Sequence, residues 1–168
     1  GVRLRPLTET QPKGMLPLAN RPILEHIVMQ CALAGLKDFT FVVGYQAQTI
    51  EDYFQDGALW GVHIGYASQR KQLGTAHALV QARQAVEDEF LVLPGNKLIE
   101  AGTIAQFVNV KPQAVLVKRV DNPIRYGVVI VENGTVKTII EKPREAQSSL
   151  TSTGIYAFDR QIFDYLEA

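Results

Sequence analysis

The amino-acid sequence predicts an α/β fold in which a mostly parallel sheet is covered by helices on both faces. Three observations lead there. Strand and helix patterns alternate through roughly residues 1–110, strands dominate from Ala114 onward, and no repeat, low-complexity tract or linker divides the chain. Ile23–Ala34 carries apolar residues at 24, 27, 28, 31 and 34, the period of a helix packed on one face, with Pro22 at its first turn and Gly35 just past its end. Phe39–Val43 is a short β-rich run closed by Gly44, and reads as a buried strand. Gln46–Phe54 is helical in pattern, with Ile50, Tyr53 and Phe54 turned inward. A strand follows at Val62–Ala67, a helix at Thr75–Val86, a strand at Phe90–Leu93 and a helix at Ala101–Val108. The later strands are Ala114–Val120, Tyr126–Val131, Val136–Ile140 and Thr153–Phe158, and Asn133-Gly134 forms a two-residue hairpin turn between two of them.

Composition narrows the class. The 168 residues suit one domain with a substantial core. Lys+Arg and Asp+Glu both number 17, so no net field draws the chain to nucleic acid or to an anionic membrane, while a local cationic cluster for a small polyanion remains open. No apolar run approaches the ~20 residues of a membrane-spanning helix, and no signal peptide opens the sequence. Cys31, the single cysteine, lies on the apolar face of the first helix and reads as buried filler in a reducing, cytoplasmic setting. The three histidines, His26, His63 and His77, show no metal-ligand spacing, and His77 is expected to pack or cap on its helix.

The most informative stretch is Gly1–Pro17, GVRLRPLTETQPKGMLP. It lacks helical and strand periods, is punctuated by glycine and proline, and carries Arg3, Arg5 and Lys13. An ordered cationic loop leading into a helix suits a polyphosphate: the cations offset phosphate charge, and a guanidinium fork clasps two oxygens at once. A domain of this kind normally begins with an apolar strand that delivers such a loop to the sheet. Here the sequence opens inside the loop, so the expectation is that the first strand is absent from the 168 residues.

Taken in order along the chain, these residues resemble the sugar-1-phosphate nucleotidylyltransferases, also called nucleoside-diphosphate-sugar pyrophosphorylases. The resemblance rests on Gly1 to Thr8, Pro12-Lys13, Met15-Leu16-Pro17, Pro22-Ile23-Leu24, Gly35, Gln69 with Leu73-Gly74-Thr75-Ala76, Tyr126-Gly127-Val128-Val129, Glu141-Lys142-Pro143 and Thr153-Gly154-Ile155-Tyr156. Each is weak alone; their order over the whole chain makes the resemblance specific. It is nearest in style to archaeal-type and bacterial enzymes making UDP-N-acetylglucosamine, UDP-glucose or dTDP-glucose. It implies a Rossmann-like three-layer nucleotidyltransferase fold: one domain, incomplete at the N-terminus and the C-terminus, with a nucleotide-binding half over 1–110 and a strand-rich sugar-binding half over 111–168.

The implied reaction joins UTP or dTTP to a sugar 1-phosphate, glucose-1-phosphate or N-acetylglucosamine-1-phosphate, releasing pyrophosphate with Mg²⁺ as cofactor. By the same resemblance, Arg3 would stabilise the departing pyrophosphate, Lys13 would bridge the α-phosphate and the sugar phosphate, and Gly1 would admit the nucleotide close to the backbone. Gln69 and Gly74, with Thr75, would read and seat the base. Tyr126 and Gly127 would bring a backbone amide to the sugar, Glu141 would accept from its hydroxyls, Lys142 would meet its phosphate, and Thr153 and Gly154 would line the same pocket. The implied partners are the two substrates, with no nucleic acid or membrane, and a homo-oligomer is open.

One position departs from the pattern. In Leu93-Pro94-Gly95-Asn96-Lys97, Asn96 stands where the family carries the metal-binding aspartate, and Lys97 adds a positive charge beside it. Alternation along the chain allows Lys97 to point away. The family's second metal carboxylate falls beyond residue 168. Two functions therefore stand side by side: an active nucleotidyltransferase that tolerates Asn96, or a catalytically impaired regulatory paralogue that binds a nucleotide or nucleotide-sugar. A dinucleotide-dependent Rossmann enzyme is disfavoured, because no G-x-G-x-x-G follows a strand. The 168-residue fragment by itself is expected to be inactive.

Overall fold

The computed structural model describes residues 4–166. After a loop containing a 3₁₀ turn at Lys13–Met15, a two-stranded ribbon of β1 (Pro17–Leu18) and β2 (Arg21–Pro22) leads into α1 (Ile23–Leu33). Then follow β3 (Asp38–Val43), α2 (Ala47–Phe54), β4 (His63–Ser68), α3 (Thr75–Gln81), β5 (Glu89–Val92) and α4 (Ala101–Phe107). The second half comprises β6 (Ala114–Arg119), β7 (Gly127–Glu132), β8 (Thr135–Glu141), β9 (Leu150–Asp159) and α5 (Ile162–Leu166).

The first helix shows how closely local sequence and structure agree. Leu24, Ile27, Val28 and Cys31 are buried, as the period requires. The helix ends in a Schellman motif: the Gly35 amide donates to the Ala32 carbonyl, the Leu36 amide to that of Cys31, and Gly35 takes φ +94°. Leu36 then packs back onto the cluster of Ile27, Cys31 and Ile104, so the cap also fixes where the chain turns toward β3.

Side chains alternate across the strands and meet helices on both faces. From β3, Phe39 and Phe41 join Leu24, Val28 and Phe54 of α1 and α2, whereas the Thr40 hydroxyl donates to the Ala85 carbonyl just after α3. Leu91 of β5 and Leu93 just after it meet α1 and α4, whereas Phe90 stacks on Phe163 of α5 at 5.8 Å between ring centroids. Arg160 ties this second layer down, donating to the Val86 carbonyl at 2.8 Å. The α/β three-layer architecture is therefore the one expected.

Strand pairing adds detail. β3 and β4 pair in parallel, from Asp38 opposite His63 to Val43 opposite Ser68. The larger sheet has five strands in the order β5-β9-β7-β8, with β6 also on β9, and its pairings are antiparallel. Among the described residues nothing pairs β3 with β5, so the parallel part and the antiparallel part are separate sheets. The Asn133-Gly134 turn joins β7 to β8 with φ +51° and +77°, the two positive values a tight hairpin of this hand needs. α3 is shorter than its pattern, because residues after Gln81 wind on as turns. β9 is longer than predicted, running through Gly154 at φ +78°. No helix among the described residues is long and apolar enough to cross a membrane.

Candidate active site

The loop ahead of α1 lies across the carboxyl ends of β3 and β5, where open α/β sheets place ligands. The hydroxyl of Tyr45, just after β3, donates to the Glu9 carbonyl and anchors the loop there. Pro12 opens the 3₁₀ turn, whose Met15 amide donates to the Pro12 carbonyl at 2.9 Å, and Met15 itself is buried. Gly14 then lies directly on the strand following β5: a Cβ at this position would come 2.6 Å from the Gly95 carbonyl oxygen. Only glycine allows that approach. It brings Lys13 and Gly14 to line one cavity together with Gly95, Asn96 and Thr75.

A second group sits at the end of β4. The Gln69 amide donates to the Val43 carbonyl at 2.7 Å, and a Cβ on Gly44 would stand 2.8 Å from the Gln69 oxygen, so β3 and β4 stay in contact past their last pair. The Gln69 side chain donates through Nε2 to the Gly74 carbonyl at 3.1 Å and lies 2.9 Å from Nδ1 of His77. Its nitrogen is thus committed within the chain, and the Oε1 acceptor is the group it can offer a ligand. Gly74 takes φ +102° at the start of α3, and a Cβ there would meet nothing within 4 Å. His77, expected to pack or cap on its helix, instead orients Gln69 across the Gly74 turn. Its position two residues into α3 gave no sign of this, because the contact depends on Gln69 folding back.

The third group belongs to the β7–β8 hairpin. Gly127 pairs with Glu141, and a Cβ on Gly127 would come 3.1 Å from Glu141 Oε2, so the carboxylate lies over the glycine. Lys142, at φ +44°, places Nζ 3.4 Å from Glu141 Oε1, and its amide donates to the Tyr126 carbonyl. The Tyr126 ring is exposed, but its amide donates to the Pro123 carbonyl at 3.0 Å, so the backbone amide expected for a sugar is already engaged at that residue. The Thr153 hydroxyl is likewise used inside the sheet, donating to the Leu116 carbonyl at 2.7 Å. Lys97 does not point away. Its ammonium donates to the Thr153 carbonyl and lies 3.6 Å from where a Gly154 Cβ would stand, tying the end of β5 to the middle of β9. Arg3 and Gly1 lie outside the described residues.

All 168 residues match the family model described as nucleotidyl transferase. The chain belongs to the nucleotidyl transferase family. Among its curated relatives, the bifunctional protein GlmU of Methanococcus maripaludis is 38% identical over 170 residues, covering 99% of this chain and 40% of the relative. The UTP–glucose-1-phosphate uridylyltransferase AglF of Haloferax volcanii is also 38% identical, covering 97% of this chain and 70% of AglF. A crystal structure from Bacillus anthracis, assigned as a glucose-1-phosphate thymidylyltransferase, superposes with a TM-score of 0.87 at 31% identity, covering 99% of this chain and 70% of that one. This nucleotidyl transferase chain spans about 40% of the length of the GlmU relatives.

The donors of the described residues do not fit a divalent ion. Among the described residues no three His, Cys, Asp or Glu side chains gather as a metal seat. At the position lining the cavity beside Lys13 and Gly14, Asn96 offers a neutral amide oxygen, whereas Mg²⁺ is usually held by one or two carboxylates. Elsewhere the one buried carboxylate among the described residues, Glu25, is fully occupied: Arg21 donates at 3.2 Å, the Tyr53 hydroxyl at 2.6 Å and the Trp60 indole at 3.3 Å. It ties α1 to α2 and to the turn at Trp60, a structural role that the helical pattern of Ile23–Ala34 concealed.

Proposed function

We propose that the full-length protein transfers a nucleotidyl group from UTP or dTTP to a sugar 1-phosphate, giving an NDP-sugar and pyrophosphate. The observation that carries this reading is the seating of Lys13-Gly14 on Gly95-Asn96 at the strand ends, in a cavity that Thr75 also lines. One oxygen of the sugar phosphate attacks the α-phosphorus as the bond to the β-phosphate's bridging oxygen breaks, and pyrophosphate leaves with that electron pair. Such a reaction asks the protein for positioning and charge rather than covalent chemistry. Lys13 meets the α-phosphate and the incoming sugar phosphate, and Arg3 meets the departing pyrophosphate. Gln69, held by His77, accepts from the imino N–H of a uracil or thymine ring lying over Gly74. Glu141 accepts from sugar hydroxyls above Gly127, and Lys142 adds a cation at the same edge. The relatives' names point to glucose-1-phosphate or N-acetylglucosamine-1-phosphate as the acceptor class.

A second reading is favoured by one observation, the neutral Asn96: a protein that binds nucleotide or nucleotide-sugar without turning it over. Mass spectrometry of full-length protein incubated with Mg²⁺, UTP or dTTP and each sugar 1-phosphate separates the two. An NDP-sugar peak with stoichiometric pyrophosphate is expected; nucleotide binding without product in every combination establishes the second reading. An Asn96→Asp variant that then gains Mg²⁺ affinity and turnover would locate the cause at this residue.

A further inference from the structure

Two glycines leave a bare strip on the antiparallel sheet, with a carboxylate at one end and an ammonium at the other. On β7, a Cβ at Gly127 would come 3.1 Å from Glu141 Oε2 and 3.8 Å from the Ser152 Cβ of β9. Further along β9, a Cβ at Gly154 would come 3.2 Å from the Pro94 ring and 3.6 Å from the Lys97 ammonium nitrogen. Ser152 joins the two positions, because its hydroxyl oxygen accepts from the Gly154 amide at 3.1 Å. Two residues of chain span at most ~7 Å, so Glu141 and Lys97 flank a strip on the scale of one hexose phosphate. The strip is fixed from within the sheet. β9 bulges against β6 between Val115 and Val117, the Thr153 hydroxyl donates to the Leu116 carbonyl at 2.7 Å, and Gly154 takes φ +78°. A larger residue at 154 would be strained and would fill the strip.

Lys97 is the less committed of the two lysines here. Its ammonium carries three N–H donors, of which the Thr153 carbonyl takes one. Among the described residues no carboxylate lies within ion-pair distance of Lys97, whereas Lys142 stands 3.4 Å from Glu141 Oε1. The residue before Lys97 decides which end of the strip is which. Asn96 lines the cavity together with Lys13 and Gly14, so the Lys97 end adjoins that cavity and Glu141 lies beyond Ser152.

From this geometry we propose that Lys97 is a further substrate-binding residue, holding the phosphate of the sugar 1-phosphate with the two donors that Thr153 leaves it. The inference rests on the proposed reaction and adds an orientation to it. The sugar hydroxyls lie toward Glu141, and the phosphate lies at the Lys97 end, next to the cavity that Lys13 lines. There the ammonium offsets part of the acceptor's charge as one of its oxygens approaches the α-phosphorus, where two anions would otherwise repel. A sugar without the phosphate gains nothing from Lys97, so the residue selects the phosphorylated acceptor.

The test reads binding rather than turnover. Full-length protein, held with a UTP analogue whose α- and β-phosphorus atoms are bridged by a methylene group, is titrated with glucose-1-phosphate and with N-acetylglucosamine-1-phosphate. Wild type is compared with Lys97→Met, Lys97→Gln and Lys97→Arg. The Met and Gln variants are expected to bind the sugar phosphate at least ~10-fold more weakly, the scale of a lost hydrogen bond between charged groups. Arg, which keeps the charge, is expected to restore most of the affinity, and the UTP analogue itself is expected to bind all four proteins alike. A residue that only ties Thr153 in place gives a different pattern, because Gln can still donate to that carbonyl and would then bind like wild type. Wild-type affinity in the Met or Gln variant overturns the proposal, as does an Arg variant no better than Met, or a wild type that binds neither sugar phosphate. Lys97-dependent binding without any NDP-sugar product sinks the proposed reaction alone. Product formation with an unchanged sugar-phosphate KM in Lys97→Met sinks this inference alone.

Discussion

Glu25 shows best how one residue ties the fold to a measurable pH dependence. Burial works to raise its pKa, but the hydrogen bonds from Tyr53 and Trp60, with the Arg21 charge, hold it below the ordinary 4.5. The unfolded chain therefore takes up this proton first as pH falls. The resulting stability is fully present above about pH 4.5 and is lost as pH drops through the lower folded value. Glu25→Gln is expected to lower stability at pH 7 by roughly 1–3 kcal/mol, through weakened partners in a buried site, and to remove this share of the acid-side loss. Urea midpoints at pH 7 and in the acid range check both effects. Cys31 gives the opposite sign: burial pushes its thiol up to about 11 from 9.0, so the neutral form is favoured in the folded state and its contribution is lost as pH rises between those values. At neutral pH the native thiol is expected to react with a thiol reagent only as fast as the protein opens, and at once in denaturant. The sequence identified Cys31 as filler from its place in the apolar stripe. It gave no sign of the buried role of Glu25, two of whose three donors arrive from residues 28 and 35 positions away and meet it only in the folded chain.

At the scale of elements, legibility followed how local the determining physics is. The end of α1 was readable because a Schellman cap needs only Gly35 and a following apolar residue. The β7–β8 hairpin was readable because Asn-Gly encodes the positive dihedrals of its turn. The end of α3 was not: Ala82 and Val86 continue the apolar period although the Ala82 amide already donates to Leu79, three residues back, and the chain winds on as turns. β9 was underestimated because Gly154 and the Ser/Thr residues before it resemble a loop, while Thr151 is buried and donates to the Lys118 carbonyl on β6. The site loop supplies the sharpest test at this scale. Gly14→Ala forces a methyl group to 2.6 Å from a backbone oxygen, so the loop must lift from Gly95. The expected cost is about 1–3 kcal/mol of stability, as for other overpacked positions, with a fall in turnover larger than at Gly102→Ala, where a Cβ meets nothing within 4 Å. Thermal melts and initial rates on the pair of variants decide it.

For the whole molecule, the α/β class and its helices on both faces were visible in the alternation of patterns, whereas the pairing partners were not. Pairing depends on contacts far apart in sequence, such as β5 with β9 and β6 with β9. The same separation applies to the site. Lys13, Gln69, Glu141 and Lys142 were singled out by resemblance, but the packing of Gly14 on Gly95, the hold of His77 on Gln69 and the reach of Lys97 to Thr153 belong to the folded chain alone. In the proposed reaction the neutral Asn96 would leave more of the phosphate charge to the cations, and of these Lys13 lies among the described residues. The decisive measurement is pyrophosphate release by the full-length protein with UTP or dTTP and glucose-1-phosphate or N-acetylglucosamine-1-phosphate, comparing wild type with Lys13→Ala. The account predicts steady release by the wild type and a drop of about 10²–10³ in the folded variant, the usual loss when a charge-stabilising donor is removed. A variant that releases pyrophosphate as fast as the wild type would contradict it.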